Sequence, residues 1–247
     1  MSMDVARTAA EARNALKRLA RPAGEFDARR YFRGNVDLGF YNVGTPAVRA
    51  LARSIHAAHV HGWSMNEAMT FADTLIRDRH LEVKSIGIEV LARRRREFTP
   101  GLLPVWKRWL AEGHAANWAT TDAMCGYLIG PLLAAHPRQA GRLLSWSRHR
   151  SLWVRRASAV GLLVPLRKGL SLDLAYAVAQ RLHGDREDLI QKAVGWLLRE
   201  AGKVDVARLE RYLRKKGAEI PRTTVRYAIE RMGKRKRRRL LIGTRSN

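Results

Sequence analysis

Apolar residues recur at helical spacing along almost the whole chain. Val48, Leu51 and Ile55, for example, follow the i, i+3, i+7 spacing that places side chains on one face of an α-helix. Alternation of apolar and polar residues, which is typical of a β-strand, never persists. The pattern therefore predicts an all-α protein.

Capping residues and helix breakers divide this pattern into segments. Thr45 and Pro46 are predicted to open a helix as N-cap and first helical residue, and this helix should end at His59 or Val60. Ser64 and Glu67 have the spacing of a capping box for the next helix. Further helices are predicted over 83–96, 102–111, 118–135, 138–148, 152–166, 172–182, 189–201, 206–215 and 223–233.

These predicted helices are short, similar in length and joined by brief loops. Antiparallel pairs that stack on one another are the natural arrangement, so we expect an α-solenoid of HEAT-like antiparallel helix pairs with a concave basic face. No strict sequence repeat supports the solenoid, and a compact multi-helix domain is the alternative. We expect a single domain over 1–233 and a basic C-terminal tail over 234–247, which we interpret as a flexible arm.

The charge of the chain points to an anionic partner. Its 247 residues include 47 Lys and Arg against 22 Asp and Glu, a formal net charge of +25. Without seven basic residues of the tail the remainder still carries +18, seven fewer than +25. A surplus of this size repels itself unless an anion lies against it, so nucleic acid is the predicted partner.

Other classes of protein are disfavoured by what the sequence lacks. Cys125 is the single cysteine, which excludes an internal disulfide, and no apolar run approaches the roughly 20 residues of a membrane span. Neither glycine-rich phosphate loops nor metal-ligand spacings of histidine occur. We therefore expect a soluble cytoplasmic monomer, nucleoid-associated in a bacterium, with no membrane contact, metal or nucleotide cofactor.

A tryptophan is presented on a basic helix face near the C-terminal end. In the helix predicted over 189–201, Trp196 lies away from the apolar stripe and beside Lys192 and Arg199. We predict that both cations contact DNA. The alternative is that Trp196 packs against a neighbouring helix.

Two further segments carry candidate functional residues. Trp118 and Asp122 are one helical turn apart, and an acid so near a helix N-terminus should stay ionised. The alternative is an ordinary first-turn acid. Arg156 lies in line with apolar neighbours and needs an anionic partner, which a phosphate or Asp122 could supply, unless its side chain reaches the solvent.

Residues 189–200 have the sequence LIQKAVGWLLRE. This segment resembles the most recognisable stretch of the AlkD-like DNA alkylation repair family of helical-repeat DNA glycosylases. Three weaker matches follow the family order: Arg30-Tyr31 with Gly44-Thr45-Pro46, then Trp118 with Asp122, then Trp153 with Arg156. The resemblance covers about residues 20 to 230. One departure is Gly44, where a longer polar side chain occurs in the family.

The resemblance implies an enzyme that hydrolyses the N-glycosidic bond of N3- or N7-alkylated purines in double-stranded DNA while the lesion stays stacked. It implies that Asp122 is the catalytic carboxylate and that Trp118 and Trp196 contact the sugar of the lesion. Arg156 would hold the DNA backbone, and Tyr31 and Thr45 would lie beside the duplex. Because no lysine stands out as an amine nucleophile, the predicted enzyme is monofunctional and leaves an abasic site.

Two other functions are compatible with parts of this pattern. A non-catalytic binder of bent or branched DNA could use the same scaffold, but retention of Asp122 favours the enzyme. A scaffold for RNA or for an acidic protein would explain the charge and leave the pairing of Trp118 with Asp122 without a role.

Overall fold

The computed structural model describes residues 3–24, 31–32 and 37–244, and this part of the chain is helical without a β-strand. An isolated parallel bridge joins Gly39 to His80. The predicted all-α class is thereby confirmed. The chain divides into two compact units, Met1–Leu128 and Ile129–Asn247. No helix in the described ranges is long and apolar enough to cross a membrane.

The first unit contains six α-helices among its described residues. They are α1 (Met3–Leu19), α2 (Thr45–His59), α3 (Met65–Ile76), α4 (Leu81–Arg93), α5 (Leu102–Ala111) and α6 (Trp118–Met124). A 3₁₀ turn over Arg95–Glu97 follows α4, and a π-helical segment over Cys125–Ile129 follows α6.

The core of the first unit forms where α4 packs against α2 and α3. Phe71 of α3 and Ile86 of α4 are fully buried, as is Trp106 of α5. Trp109 of α5 donates its indole N–H to Asp73 of α3 at 2.7 Å. The capping box of α3 is confirmed, because Glu67 donates its backbone N–H to the Ser64 hydroxyl while its carboxylate accepts the Ser64 backbone N–H.

The second unit contains the remaining helices. They are α7 (Gly130–Ala135), α8 (Leu143–Trp146), α9 (Leu152–Val160), α10 (Leu163–Arg167), α11 (Leu172–Arg181), α12 (Asp188–Val204), α13 (Val206–Lys216), α14 (Arg222–Ala228) and α15 (Lys234–Gly243). A 3₁₀ segment, Pro137–Arg142, precedes α8. The long helix α12 lies at the centre, in contact with α9, α11, α13 and α14.

Several local expectations differ from the structure. The helix predicted over 118–135 is interrupted by the π-helical segment Cys125–Ile129. The N-cap of α2 is Gly44 and not Thr45, because Gly44 has the extended backbone of a cap and its carbonyl accepts the N–H of Ala47. The helix predicted over 138–148 begins as a 3₁₀ segment, and the one over 152–166 is interrupted between α9 and α10. The run expected to be a flexible arm forms α15.

Candidate active site

Helix α6 carries the candidate carboxylate and its nearest tryptophan. The side chain of Asn117 caps the helix by accepting the backbone N–H of Thr120 at 2.8 Å, so that Trp118 is the first helical residue. Thr120 and Thr121 face the protein interior and are buried. Trp118 and Asp122 are one turn apart on the opposite side, and both are half-buried.

A stacked phenylalanine and a backbone carbonyl hold the ring of Trp118 in place. Phe32 stacks on it with 5.1 Å between ring centroids and an angle of 7° between the planes, and Phe40 packs on Phe32. The indole Nε1–H of Trp118 donates to the backbone carbonyl of Tyr31 at 3.0 Å. Tyr31, which sequence reasoning singled out, therefore lies beside Trp118 with 61% of its surface exposed. Arg30 lies outside the described residues.

A pocket of about 630 Å³ opens beside Trp118 in the first unit. Its lining is mostly apolar and aromatic and includes Tyr31, Phe32, Thr45, Trp118 and Tyr127. Among the described residues, α6 contributes Trp118, Ala119 and Ala123 to the pocket wall. Asp122, on the same helix, does not line the pocket.

Three charged residues that line this pocket have partners within the protein. Arg49 lies 3.2 Å from the carboxylate of Glu89 and donates to the Tyr127 hydroxyl at 2.9 Å. Buried Glu82 accepts the backbone N–H groups of Tyr41 and Val43 at 3.1 and 3.2 Å. These contacts fix the segment that leads into Thr45.

In the second unit, α12 buries the apolar stripe that the sequence predicted. Ile190, Ala193, Val194 and Leu197 are each at most 1% exposed, and Trp196 is half-buried outside this stripe. The periodicity in the sequence therefore placed the core side of α12 correctly.

The two cations next to Trp196 have acidic partners. Lys192 lies 2.6 Å from Asp188 one turn earlier, and this hydrogen bond raises the pKa of its ammonium above the ordinary value. Arg199 forms an ion pair with Glu230. A DNA phosphate that contacts either cation would compete with the carboxylate already present.

Arg156 is 6% exposed and joins two helices. Its guanidinium donates to the backbone carbonyl of Leu189, 2.5 Å away, and so ties α9 to the first turn of α12. The sequence predicted an anionic partner for Arg156, and one acceptor of its guanidinium is this neutral carbonyl. The contact of Arg156 with the DNA backbone stays a prediction.

The predicted residues thus fall into two groups. Tyr31, Thr45, Trp118 and Asp122 belong to the first unit, and the first three line one pocket there. Arg156, Lys192, Trp196 and Arg199 belong to the second unit. Sequence reasoning missed Phe32 and Tyr127, although the aromatic pair at 31–32 was a visible signal next to Tyr31.

Comparison with known proteins identifies the family. The sequence model of a family described as DNA alkylation repair enzyme matches residues 12–232, which is most of the chain. The chain belongs to the DNA alkylation repair enzyme family. Membership confirms the family inferred from the residue motifs, gives the chain a role in the repair of alkylated DNA and implies DNA as its partner.

The fold agrees with that of a solved structure described as a predicted DNA alkylation repair enzyme from Enterococcus faecalis. The TM-score is 0.71 at 18% sequence identity, and the match covers 92% of this chain and 96% of the other. This likeness supports an all-α helical-repeat fold for the present DNA alkylation repair protein. No curated protein sequence matches it significantly.

Proposed function

We propose that this family member is a monofunctional DNA glycosylase. It would hydrolyse the N-glycosidic bond of N3- or N7-alkylated purines in duplex DNA and leave an abasic site. The observation that carries the proposal is the placement of Asp122 one turn from Trp118, whose ring is held by Phe32 and by the Tyr31 carbonyl.

The chemistry requires little more than a fixed negative charge near the sugar. An alkylated purine is already cationic, so it leaves with the electron pair of the C1′–N bond and becomes neutral. The sugar is left with oxocarbenium character, which the Asp122 carboxylate would stabilise. The same carboxylate would orient the attacking water and take its proton as the new C1′–O bond forms.

The indole rings would add to this stabilisation. The face of an aromatic ring attracts a cation by about 0.5–2 kcal/mol, and Trp118 and Trp196 are proposed to contribute in this way. Both residues are half-buried, so each is partly accessible to solvent and partly packed in the protein.

One feature supports hydrolysis of a lesion that stays in the helical stack. Asp122 stands outside the lining of the pocket next to Trp118, so the acid is not placed to act on a base enclosed there. Separately, α6, which carries Trp118 and Asp122, contains no lysine, which favours water over an amine as nucleophile. Contacts with the DNA are proposed for Tyr31, Thr45, Arg156, Lys192 and Arg199.

The direct test is excision of 7-methylguanine from a duplex that contains one such lesion, read out by alkaline cleavage at the abasic site. We expect product with the wild type under single-turnover conditions. Asp122→Asn should lower the rate by about two orders of magnitude or more, as expected on removal of one preorganised charge.

The matched control is Asp37→Asn, which removes an exposed aspartate of the same unit. It should excise the lesion at the wild-type rate, and thermal unfolding should show that both variants are folded. Equal rates for wild type and Asp122→Asn would leave Asp122 without a catalytic role. An absence of any product would favour the non-catalytic DNA binder.

A further inference from the structure

Helix α15 is unusual because its first six residues, 234–239, are all cationic. The N-terminal end of a helix carries partial positive charge and favours acids, and like charges three or four positions apart repel one another. The N-cap residue is Gly233, so no side chain caps this end of the helix either. An isolated helix of this sequence would therefore be disfavoured, and its formation here needs compensating contacts.

One face of α15 obtains such contacts from the second unit. Leu240 is 1% exposed, Lys236 forms an ion pair with Glu210 of α13, and Arg239 lies 3.9 Å from the same carboxylate. From the start of α14, Arg222 donates to the carbonyl of Leu241 at 2.5 Å. These contacts dock the helix and neutralise some of its charge.

A second face of α15 keeps its charge unpaired. Lys234, Arg237 and Arg238 follow the i, i+3, i+4 spacing of one helix face, and each is exposed. Among the described residues, none forms an ion pair with these three side chains. With Arg222 they surround a hollow of about 490 Å³, the α15 cationic hollow, whose described lining is Arg222, Lys234, Arg237, Arg238, Leu241 and Ile242.

We propose that the α15 cationic hollow binds phosphates of the double-stranded DNA backbone. Four cations converge on a recess whose described lining includes no acid, and an anion placed there would offset both their mutual repulsion and the unfavourable charge at the helix N-terminus. Duplex DNA is the polyanion that family membership implies as the partner. The proposal rests on DNA binding and not on the glycosylase reaction.

The test is the salt dependence of binding to an unmodified DNA duplex, measured by fluorescence anisotropy over a series of KCl concentrations. Each phosphate contact contributes about 0.9 to the slope of log affinity against log salt. The variant Lys234→Gln/Arg237→Gln/Arg238→Gln should therefore lose about two to three from the wild-type slope. Arg222 is left unchanged because it supports the docked helix.

A matched control separates a local site from general electrostatics. Lys17→Gln/Arg18→Gln/Arg108→Gln removes the same charge from exposed positions of α1 and α5 in the first unit. It should keep the wild-type slope. A charge-conserving variant, Lys234→Arg/Arg237→Lys/Arg238→Lys, should keep most of the wild-type slope, because the slope depends on the number of cations that contact phosphates.

Several outcomes would overturn the proposal. Equal loss of slope in the glutamine variant and its control would show that only total charge matters. Loss of binding to single-stranded RNA without loss of binding to duplex DNA would assign the hollow to another partner. Since the duplex carries no lesion, failure of the proposed excision reaction would leave these binding results unaffected.

Discussion

The imidazole of His183 is buried in the second unit, 7% exposed, and its Nε2 lies 2.6 Å from the Tyr212 hydroxyl. The neutral ring can accept the Tyr212 O–H, whereas the protonated ring cannot. Burial, with a smaller contribution from nearby Lys216, lowers the pKa of His183 from 6.5 to about 4. Folding therefore favours the neutral form of this side chain.

This lowered pKa gives a prediction for acid stability. Well above pH 6.5, His183 is neutral in both the folded and the unfolded state, so its titration does not change the free energy of unfolding there. As the pH falls from 6.5 to about 4, the unfolded state binds a proton that the folded state excludes, and stability is lost. The full loss is on the order of 3 kcal/mol, from about 1.4 kcal/mol per pKa unit.

Urea unfolding at a series of pH values checks the prediction. His183→Gln should be less stable than wild type at neutral pH because it loses buried contacts. As the pH falls, however, its free energy of unfolding should decrease less than that of the wild type, because the contribution of His183 is absent. The control His61→Gln removes an exposed histidine and should retain that contribution. A wild-type pH dependence in His183→Gln would show that other groups cause the loss.

At the scale of helices, the glycine in the family-like segment of α12 has a packing role. A Cβ built on Gly195 would lie 2.4 Å from Cβ of Tyr227 and 2.8 Å from the carbonyl oxygen of Thr224, both on α14. Neither atom is the end of a flexible side chain, so the two helices would have to move apart. The Thr224 hydroxyl also donates to the Gln191 carbonyl at 2.9 Å, a bond that such a movement would strain.

Gly195→Ala should therefore destabilise the second unit by about 1–3 kcal/mol, the usual cost of overpacking, despite the better helix propensity of alanine. Thermal or urea unfolding measures the change. Gly243→Ala is the matched control, because a Cβ at this helical position meets nothing within 4 Å. If Gly195→Ala is as stable as its control, α12 and α14 have room to adjust.

Helices with a strong apolar stripe or a clear cap could be predicted from the sequence. Helix α5 spans the predicted residues 102–111, and α3 begins at the predicted capping box. Helix α1 was missed because two of its buried positions, Ala9 and Ala12, are alanines that scarcely differ from their surroundings in hydrophobicity. Its ties to the rest of the unit are long-range, such as the ion pair of Arg13 with Asp78 at 2.8 Å.

In the candidate site, too, local spacing could be predicted from the sequence but long-range contacts could not. The spacing of Trp118 and Asp122 on one helix followed from the chain itself, since i and i+4 positions always share a face. The stack of Phe32 on Trp118 joins residues 86 positions apart in the sequence, which no local pattern encodes. Likewise, α15 could not be predicted from its repelling charges, because the acid that pairs with them, Glu210, lies on another helix.

At the scale of the whole molecule, net charge is the dominant property. Ion pairs such as Arg49 with Glu89 and Lys192 with Asp188 offset part of the positive charge, but the chain as a whole carries +25. A protein with this surplus gains most of its general affinity for DNA by displacing counterions from phosphates. The magnitude of that gain is set by the number of phosphates contacted and falls as salt rises.

Wild-type binding to an unmodified duplex should therefore weaken steeply with added salt. A protein that makes six to ten phosphate contacts loses about 10³- to 10⁵-fold in affinity between roughly 50 and 200 mM salt, and we expect a loss within this range. Anisotropy titrations with KCl measure it, and a neutral osmolyte at matched osmolality should leave the affinity nearly unchanged. A flat salt dependence would mean that the positive charge does not lie against the DNA backbone, and the duplex would then have to be held by uncharged contacts.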